Sequence, residues 1–259
     1  MEDFDATASG NGGTTPIASE TESSRTALSV GLLPALNLAL WSNHVAPLTE
    51  LSLFNPGPDS WDNITIDLAS EIPAIRPKTW RLSRLAPGQA QPLADLSLEL
   101  DGPWLSSLTE STRAGMRFTV RVGEKIVDET YREVRLLASN EWGGTSVIPD
   151  LLAAFVEPND PEIPAILHTA SELLRQQGKQ DGLEGYQAHS KERLWQQMAA
   201  LWSAVCSLDI RYVNPPPSFE QTGQRIRPPR QIVADRLATC LDLSVLFAAC
   251  LEAAGLRPL

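Results

Sequence analysis

The chain has 259 residues, 42% of them hydrophobic, and a formal net charge of −11 at pH 7. This length and composition suffice for one large core or two modest ones, and the negative charge argues against a chain that wraps nucleic acid. Three widely spaced cysteines without a paired Cys or His motif predict neither a disulfide framework nor a zinc site. We therefore expect no metal and no cofactor.

The amino terminus lacks the features of a targeting segment. Residues 1–5 have neither the basic start nor the apolar run of a signal peptide. The longest apolar stretch, residues 27–41, is interrupted by Pro34 and Asn37 and is too short to span a bilayer. Residues 1–26 are rich in Gly, Thr, Ser and Glu, which predicts a disordered tail; the alternative is a targeting or partner-binding tail. We expect a cytoplasmic protein without membrane attachment.

Residues 28–137 follow a two-residue period. Apolar and polar side chains alternate at 64–68, 96–100 and 116–122, as in strands with one buried face. Gly123-Glu124 predicts a hairpin after the third run. Several short strands without an intervening helix predict an antiparallel β-sandwich of immunoglobulin type over residues 27–140.

From Trp142 onward the period becomes helical. We predict helices over residues 148–156, 163–174 and 192–208, the first ended by Pro158. Glycines at 178, 182 and 185 indicate a flexible connection between the helices at 163–174 and 192–208. The helix at 192–208 carries an apolar stripe that we expect to be buried: Leu194, Met198, Leu201, Trp202 and Val205.

The last predicted helix begins at Cys240. Thr239 can cap its start, and Gly255 followed by Pro258 is a stop signal. Its apolar positions cover nearly the whole circumference, which predicts a central, buried helix. The unpaired N–H groups and the positive end of the helix dipole favour thiolate over thiol, so Cys240 is a candidate nucleophile.

The cysteines also allow a structural interpretation. Free cysteine is among the most buried residue types, so Cys240 can equally be a small core residue. We expect Cys250, ten residues further along the same apolar helix, to lie in the core. Cys206, at the end of the helix over 192–208, is predicted to face the core as well.

Four arginines follow a Pro-rich loop at 213–219: Arg225, Arg227, Arg230 and Arg236. One interpretation is contact with nucleic-acid phosphates or with an acidic partner. The other, favoured by the net negative charge, is a solvated loop whose arginines pair with Glu220 and Asp235. The chain has no Walker A motif and no aromatic ladder, so we expect neither ATP hydrolysis nor tight direct binding of nucleic acid.

Several runs in this half resemble one bacterial family. They are RYVNPPPSFE at 211–220, GQRIR at 223–227, TCLD at 239–242 and LFAACLEAAGL at 246–256. These runs are similar to the amino-terminal region of large proteins in which an uncharacterised transglutaminase-like module precedes a superfamily 1 helicase. Some members end in a nuclease-like domain, and the family is associated with anti-phage defence. NEWGG at 140–144 and LLAAFVEPN at 151–159 resemble the linker before that module.

The resemblance implies an α+β protein in which residues 141–259 form the first part of a transglutaminase-like, cysteine-peptidase-like domain. In that fold a nucleophilic cysteine opens the central helix, and a histidine and an aspartate follow on the next strands. Only Cys240 corresponds to this set, because His44, His168 and His189 match no motif, so the partners are expected beyond Leu259. A thiol without a base is a poor nucleophile at neutral pH.

Two functions follow from this resemblance. The first is an accessory sensing or docking region of a helicase-containing anti-phage defence protein, not catalytic by itself. Its partners would be downstream helicase or nuclease domains, proteins of a defence complex, a peptide or a phage protein. The second is a cysteine-dependent peptidase or acyl transferase completed by histidine and aspartate beyond Leu259.

Overall fold

The computed structural model describes residues 26–258 and is a mixed α+β structure with several β-sheets. The tail predicted over residues 1–26 therefore lies outside the described residues, apart from Thr26. From residue 26 to residue 142 the described chain forms nine strands and two short helices: β1 (Leu28–Leu32), β2 (Ala35–Leu36), α1 (Leu38–Ser42), β3 (Leu48–Phe54), β4 (Trp61–Ser70), β5 (Lys78–Leu85), β6 (Ala90–Pro92), α2 (Gly102–Ser106), β7 (Thr112–Val122), β8 (Lys125–Leu136) and β9 (Glu141–Trp142).

Two sheets share one hydrophobic core in this part. Three strands pair in the order β1-β3-β6, and five pair in the order β2-β8-β7-β4-β5, antiparallel except for β2 with β8. The alternation predicted at 64–68 and 116–122 is confirmed, since Ile66 and Phe118 are buried on β4 and β7. The predicted hairpin is also confirmed, because Gly123 turns between β7 and β8 with a φ of +59°.

The strand predicted at residues 96–100 is wrong. Only Leu100 forms a bridge, to Ile75, and the preceding residues run as irregular chain beside β5. Lys78 Nζ donates to the carbonyl oxygen of Ser97 at 2.6 Å, and Trp80 Nε1 donates to that of Asp95 at 2.7 Å. Side chains of β5 therefore satisfy this backbone, and no strand ladder forms.

The second part is mainly helical. Its elements are a 3₁₀ helix (Pro149–Phe155), α3 (Ile163–Gln176), a second 3₁₀ helix (Gly185–Ala188), α4 (Lys191–Cys206), β10 (Arg211–Tyr212), α5 (Phe219–Thr222), β11 (Gln224–Arg225), α6 (Pro229–Asp235), β12 (Leu237–Ala238) and α7 (Cys240–Ala253). The predicted helices at 163–174 and 192–208 are confirmed, whereas the one at 148–156 is a 3₁₀ helix. A second hydrophobic core joins α3, α4 and α7.

The stripe predicted for α4 is buried only in part. Leu201 and Val205 are buried, but Met198 is 36% exposed and Trp202 is 55% exposed. The helix instead packs through Ala200 and Ala204, whose small side chains allow close approach to the core. Met198 and Trp202 thus remain on a surface.

A two-stranded ribbon joins the two parts. β9 pairs with β11, so that Trp142 lies opposite Gln224 and packs with Ile226 and Val245. The domain boundaries at 140 and 141 stay a prediction. Within residues 26–258, no helix is long and apolar enough to cross a membrane.

Candidate functional site

Cys240 is the first residue of α7 and is exposed. Thr239 caps the helix as predicted: its Oγ1 accepts from the Asp242 N–H at 3.2 Å, and Asp242 Oδ2 accepts from the Thr239 N–H at 2.9 Å. This capping box fixes the first turn and leaves the thiol outside it. The structural interpretation of Cys240 as a buried core residue is therefore wrong.

The Asp242 carboxylate is fully buried behind the capping box. Its Oδ1 accepts from the Arg227 backbone N–H at 2.8 Å, and its Oδ2 accepts from Arg227 Nη1 at 2.8 Å. A buried carboxylate needs such a counterion and full hydrogen bonding. Arg227 thus anchors the start of α7 through Asp242.

The thiol opens onto an apolar groove of about 710 Å³. Two rows of side chains, each spaced four residues apart, form its walls. The row on α4 is Leu194, Met198 and Trp202, and the row on α7 is Leu243, Phe247 and Leu251. Trp202 and Phe247 meet edge to face, with ring centroids 5.4 Å apart. The prediction that α7 is buried all round is therefore wrong, because this apolar face lines an open groove.

Tyr212 lies beside Cys240 at one end of the groove. It ends β10, which pairs with β12 immediately before α7 and so brings the two residues together. Partial removal from water raises the pKa of the Tyr212 hydroxyl, and the charge and hydrogen bond of the Cys240 sulfur raise it further. The hydroxyl stays protonated at neutral pH, so it can donate a hydrogen bond to the sulfur but cannot act as a base.

No histidine lines the groove. His44, His168 and His189 all lie within the described residues, but none belongs to its walls. Residues 26–258 also contain no group of three or more His, Cys, Asp or Glu side chains that could hold a metal ion. The described residues therefore supply a thiol and a hydrogen-bond donor without a general base.

The other two cysteines differ in environment. Cys250 is fully buried, as predicted, and burial raises the pKa of its thiol to about 12. Cys206, at the carboxyl end of α4, is exposed, so its predicted core position is wrong. Cys206 follows the exposed Trp202 by four residues, so it lies on the solvent-facing side of α4, whereas the preceding Val205 is buried.

The four arginines do not converge on one surface. Arg225 pairs with Glu110, Arg227 with Asp242, Arg230 with Glu157 and Asp160, and Arg236 with Asp209. The predicted partners Glu220 and Asp235 form none of these ion pairs among the described residues. Burial of Glu157 raises the pKa of its carboxyl, Arg230 opposes this shift, and Asp160 adds to it.

Arg225 and Arg227 line a second cleft, of about 760 Å³, on the other side of the α7 start. This cleft lies between the first part of the chain and the Pro-rich loop, and Gln224 and Thr239 belong to its wall. Sequence reasoning missed Gln224 and Tyr212: both lie in runs that carry the family resemblance, but no catalytic or ligand-binding pattern marks either residue. The sequence predicted the apolar stripe of α4, but nothing in it showed that part of this stripe is exposed to solvent.

Neither a scan of protein-family models nor a search of curated proteins finds a match for this chain. Its function must therefore be argued from the groove, the thiol and the cleft.

Proposed function

We propose that this chain is an accessory docking region of a bacterial, cytoplasmic, helicase-containing anti-phage defence protein and is not itself catalytic. In this proposal residues 27–140 form an immunoglobulin-like sandwich, and residues 141–259 begin a transglutaminase-like domain. The observation that carries the proposal is the apolar groove between α4 and α7, where Trp202 and Met198 are open to solvent. Contiguous exposed apolar patches mark protein interaction sites.

The occupant of the groove is an apolar protein segment. The two rows of side chains at four-residue spacing leave a channel between two helices, the geometry that receives the apolar face of another element. Among the described residues that form the wall, Arg257 alone is charged, so the contact is dominated by apolar burial. Helicase or nuclease domains of the same protein, other proteins of a defence complex, or a phage protein would supply this segment.

The test is phage protection by cells that express the whole defence protein. We expect Trp202→Gln to lose protection because it removes an aromatic anchor from the groove. Trp195→Gln is the matched control, since Trp195 lies on the same helix, is 70% exposed and does not line the groove. Full protection with Trp202→Gln would refute the docking function.

A second candidate function is a cysteine-dependent peptidase or acyl transferase. The observation that favours it is the exposed Cys240 thiol, beside the Tyr212 hydroxyl and at the end of a groove that can hold an acyl or peptidyl substrate. Histidine and aspartate beyond Leu259 would complete this site.

Protection by Cys240→Ala separates the two functions. If the chain is a docking region, the variant should protect as well as the wild type. If it is a cysteine-dependent enzyme, the variant should lose protection. Cys206→Ala is the matched control, because Cys206 is also exposed but lies outside the groove. If Cys240→Ala loses protection and Cys206→Ala does not, the docking proposal is wrong and the chain belongs to a cysteine-dependent enzyme.

A further inference from the structure

We infer that the second cleft binds the backbone of a short, uncharged, extended peptide. The cleft is distinct from the apolar groove: the start of α7 separates them, with Thr239 in one wall and Cys240 in the other. Its volume of about 760 Å³ is typical of sites for small molecules and short peptides.

The buried side-chain amide of Gln224 indicates which chemical groups the ligand must carry. Gln224 is 4% exposed and lines the cleft. Its Nε2 donates to Thr239 Oγ1 at 2.9 Å, whereas its Oε1 has no partner within residues 26–258. Turning the amide over would leave Nε2 unpaired instead of Oε1. A buried polar atom without a partner is costly, and an N–H donor from a ligand would remove that cost.

Two further side-chain amides, one half-buried and one exposed, line the same cleft. Asn140 Nδ2 donates to the Ile226 carbonyl oxygen at 3.2 Å, and Gln231 Nε2 donates to Asp235 Oδ2 at 3.3 Å. Within the described residues the oxygens of these two amides accept no hydrogen bond. Side-chain amides present the same donors and acceptors as peptide bonds. The cleft thus offers free carbonyl acceptors for the N–H groups of a ligand.

The charges of the cleft are already balanced. Arg225 faces Glu110, Arg227 faces Asp242, and Glu141 accepts from Arg135. An anionic ligand would have to compete with these carboxylates. Each guanidinium has five N–H donors, so both arginines can still donate to the carbonyl oxygens of a neutral ligand.

The edge of β11 provides a backbone contact for the same ligand. The Ile226 N–H donates to the Asn140 carbonyl oxygen at 2.8 Å, which places Ile226 at a hydrogen-bonded position of the antiparallel ribbon. The preceding residue, Arg225, therefore turns its N–H and C=O away from β9. Among the described strands β11 pairs with β9 alone, so this edge can accept an added strand.

The experiment is an NMR titration of the ¹⁵N-labelled full chain with acetyl-tetra-alanine-amide, a blocked peptide without charge. We expect saturable shifts of the Gln224 side-chain amide and the Arg225 backbone amide, with a dissociation constant of about 1 mM. Gln224→Met should weaken binding about tenfold, and Asn214→Ala about threefold, the loss of one hydrogen bond. Adenosine, the comparison probe, should cause no saturable shift.

Asn214→Ala keeps the test decisive if Gln224→Met fails to fold. Asn214 lines the cleft, is exposed, and forms no side-chain hydrogen bond within residues 26–258. Asn159→Ala is its matched control, an exposed asparagine also next to proline but outside the cleft, and should bind the peptide like the wild type. Absence of saturable shifts, shifts with adenosine alone, or unchanged affinity in Asn214→Ala would each overturn the inference.

Discussion

The three cysteines offer three different environments for one chemical test. Cys240 and Cys206 are both exposed, but they lie at opposite ends of helix dipoles, and Cys250 is buried with a thiol pKa of about 12. We expect iodoacetamide at pH 7 to alkylate the exposed thiols of Cys240 and Cys206 in the native chain, and the buried thiol of Cys250 only on unfolding. Mass spectrometry of the native chain measures the order.

A different order would count against this description of the site. If Cys240 and Cys250 were equally protected, the thiol would not face an open groove, and the cysteine enzyme would lose its main support. The variant Tyr212→Phe is the control for the hydroxyl, because it keeps the ring and removes only the group that can donate a hydrogen bond to the Cys240 sulfur.

Arg227 is expected to stabilise the start of α7. Its guanidinium is the counterion of Asp242, whose side chain is 0% exposed, while Arg227 itself is 29% exposed. Arg227→Met should lower the free energy of unfolding by about 1–3 kcal/mol, less than for a fully buried pair because the backbone N–H groups of residue 227 and Thr239 still donate to the carboxylate. Urea denaturation measures the loss. Arg225→Met is the control, since its partner Glu110 is 79% exposed and the expected change is within about 1 kcal/mol.

At the scale of elements, α4 and α7 each have a buried side and an open apolar side. Leu246 is fully buried in the second core, whereas Trp202 lines the groove. Leu246→Ala should therefore destabilise the chain by about 2–5 kcal/mol. Trp202→Gln should lower the free energy of unfolding by less than about 1.5 kcal/mol, mainly through loss of the edge-to-face contact with Phe247. Thermal unfolding of both variants measures the difference, and equal losses would mean that the groove is part of the core.

The sequence predicted elements well where its pattern was independent of distant partners. Alternation at 64–68 and 116–122 gave paired strands, and Thr239 and Gly255 bounded α7. At 96–100 the alternation correctly indicates burial, since Leu100 is buried and Glu99 is exposed. A strand also needs a ladder of backbone hydrogen bonds, and the edge strand β5 instead contacts this backbone through the side chains of Lys78 and Trp80. Apolar periodicity likewise marks a face of a helix without showing whether another element covers it.

The second cleft could not be predicted because it depends on residues far apart in the chain. It forms where β9 meets β11, with Trp142 opposite Gln224, and no local pattern encodes this pairing. The arginines illustrate the same point. Their spacing suggested a common surface, but each is drawn to a carboxylate on a different element, from Glu110 before β7 to Asp209 after α4.

For the whole molecule, this dispersal of cations determines the expected response to nucleic acid. A protein that binds phosphates tightly needs several unpaired cations on one face, and its affinity falls steeply with salt. Here the net charge is −11, and all four arginines of the predicted cluster are ion-paired. We expect the chain to bind duplex or single-stranded DNA more weakly than about 1 µM at physiological salt. Fluorescence anisotropy measures this affinity. Nanomolar, salt-sensitive binding that Arg225→Ala and Arg227→Ala weaken would contradict it, since an ion-paired arginine would then have exchanged its carboxylate for phosphate.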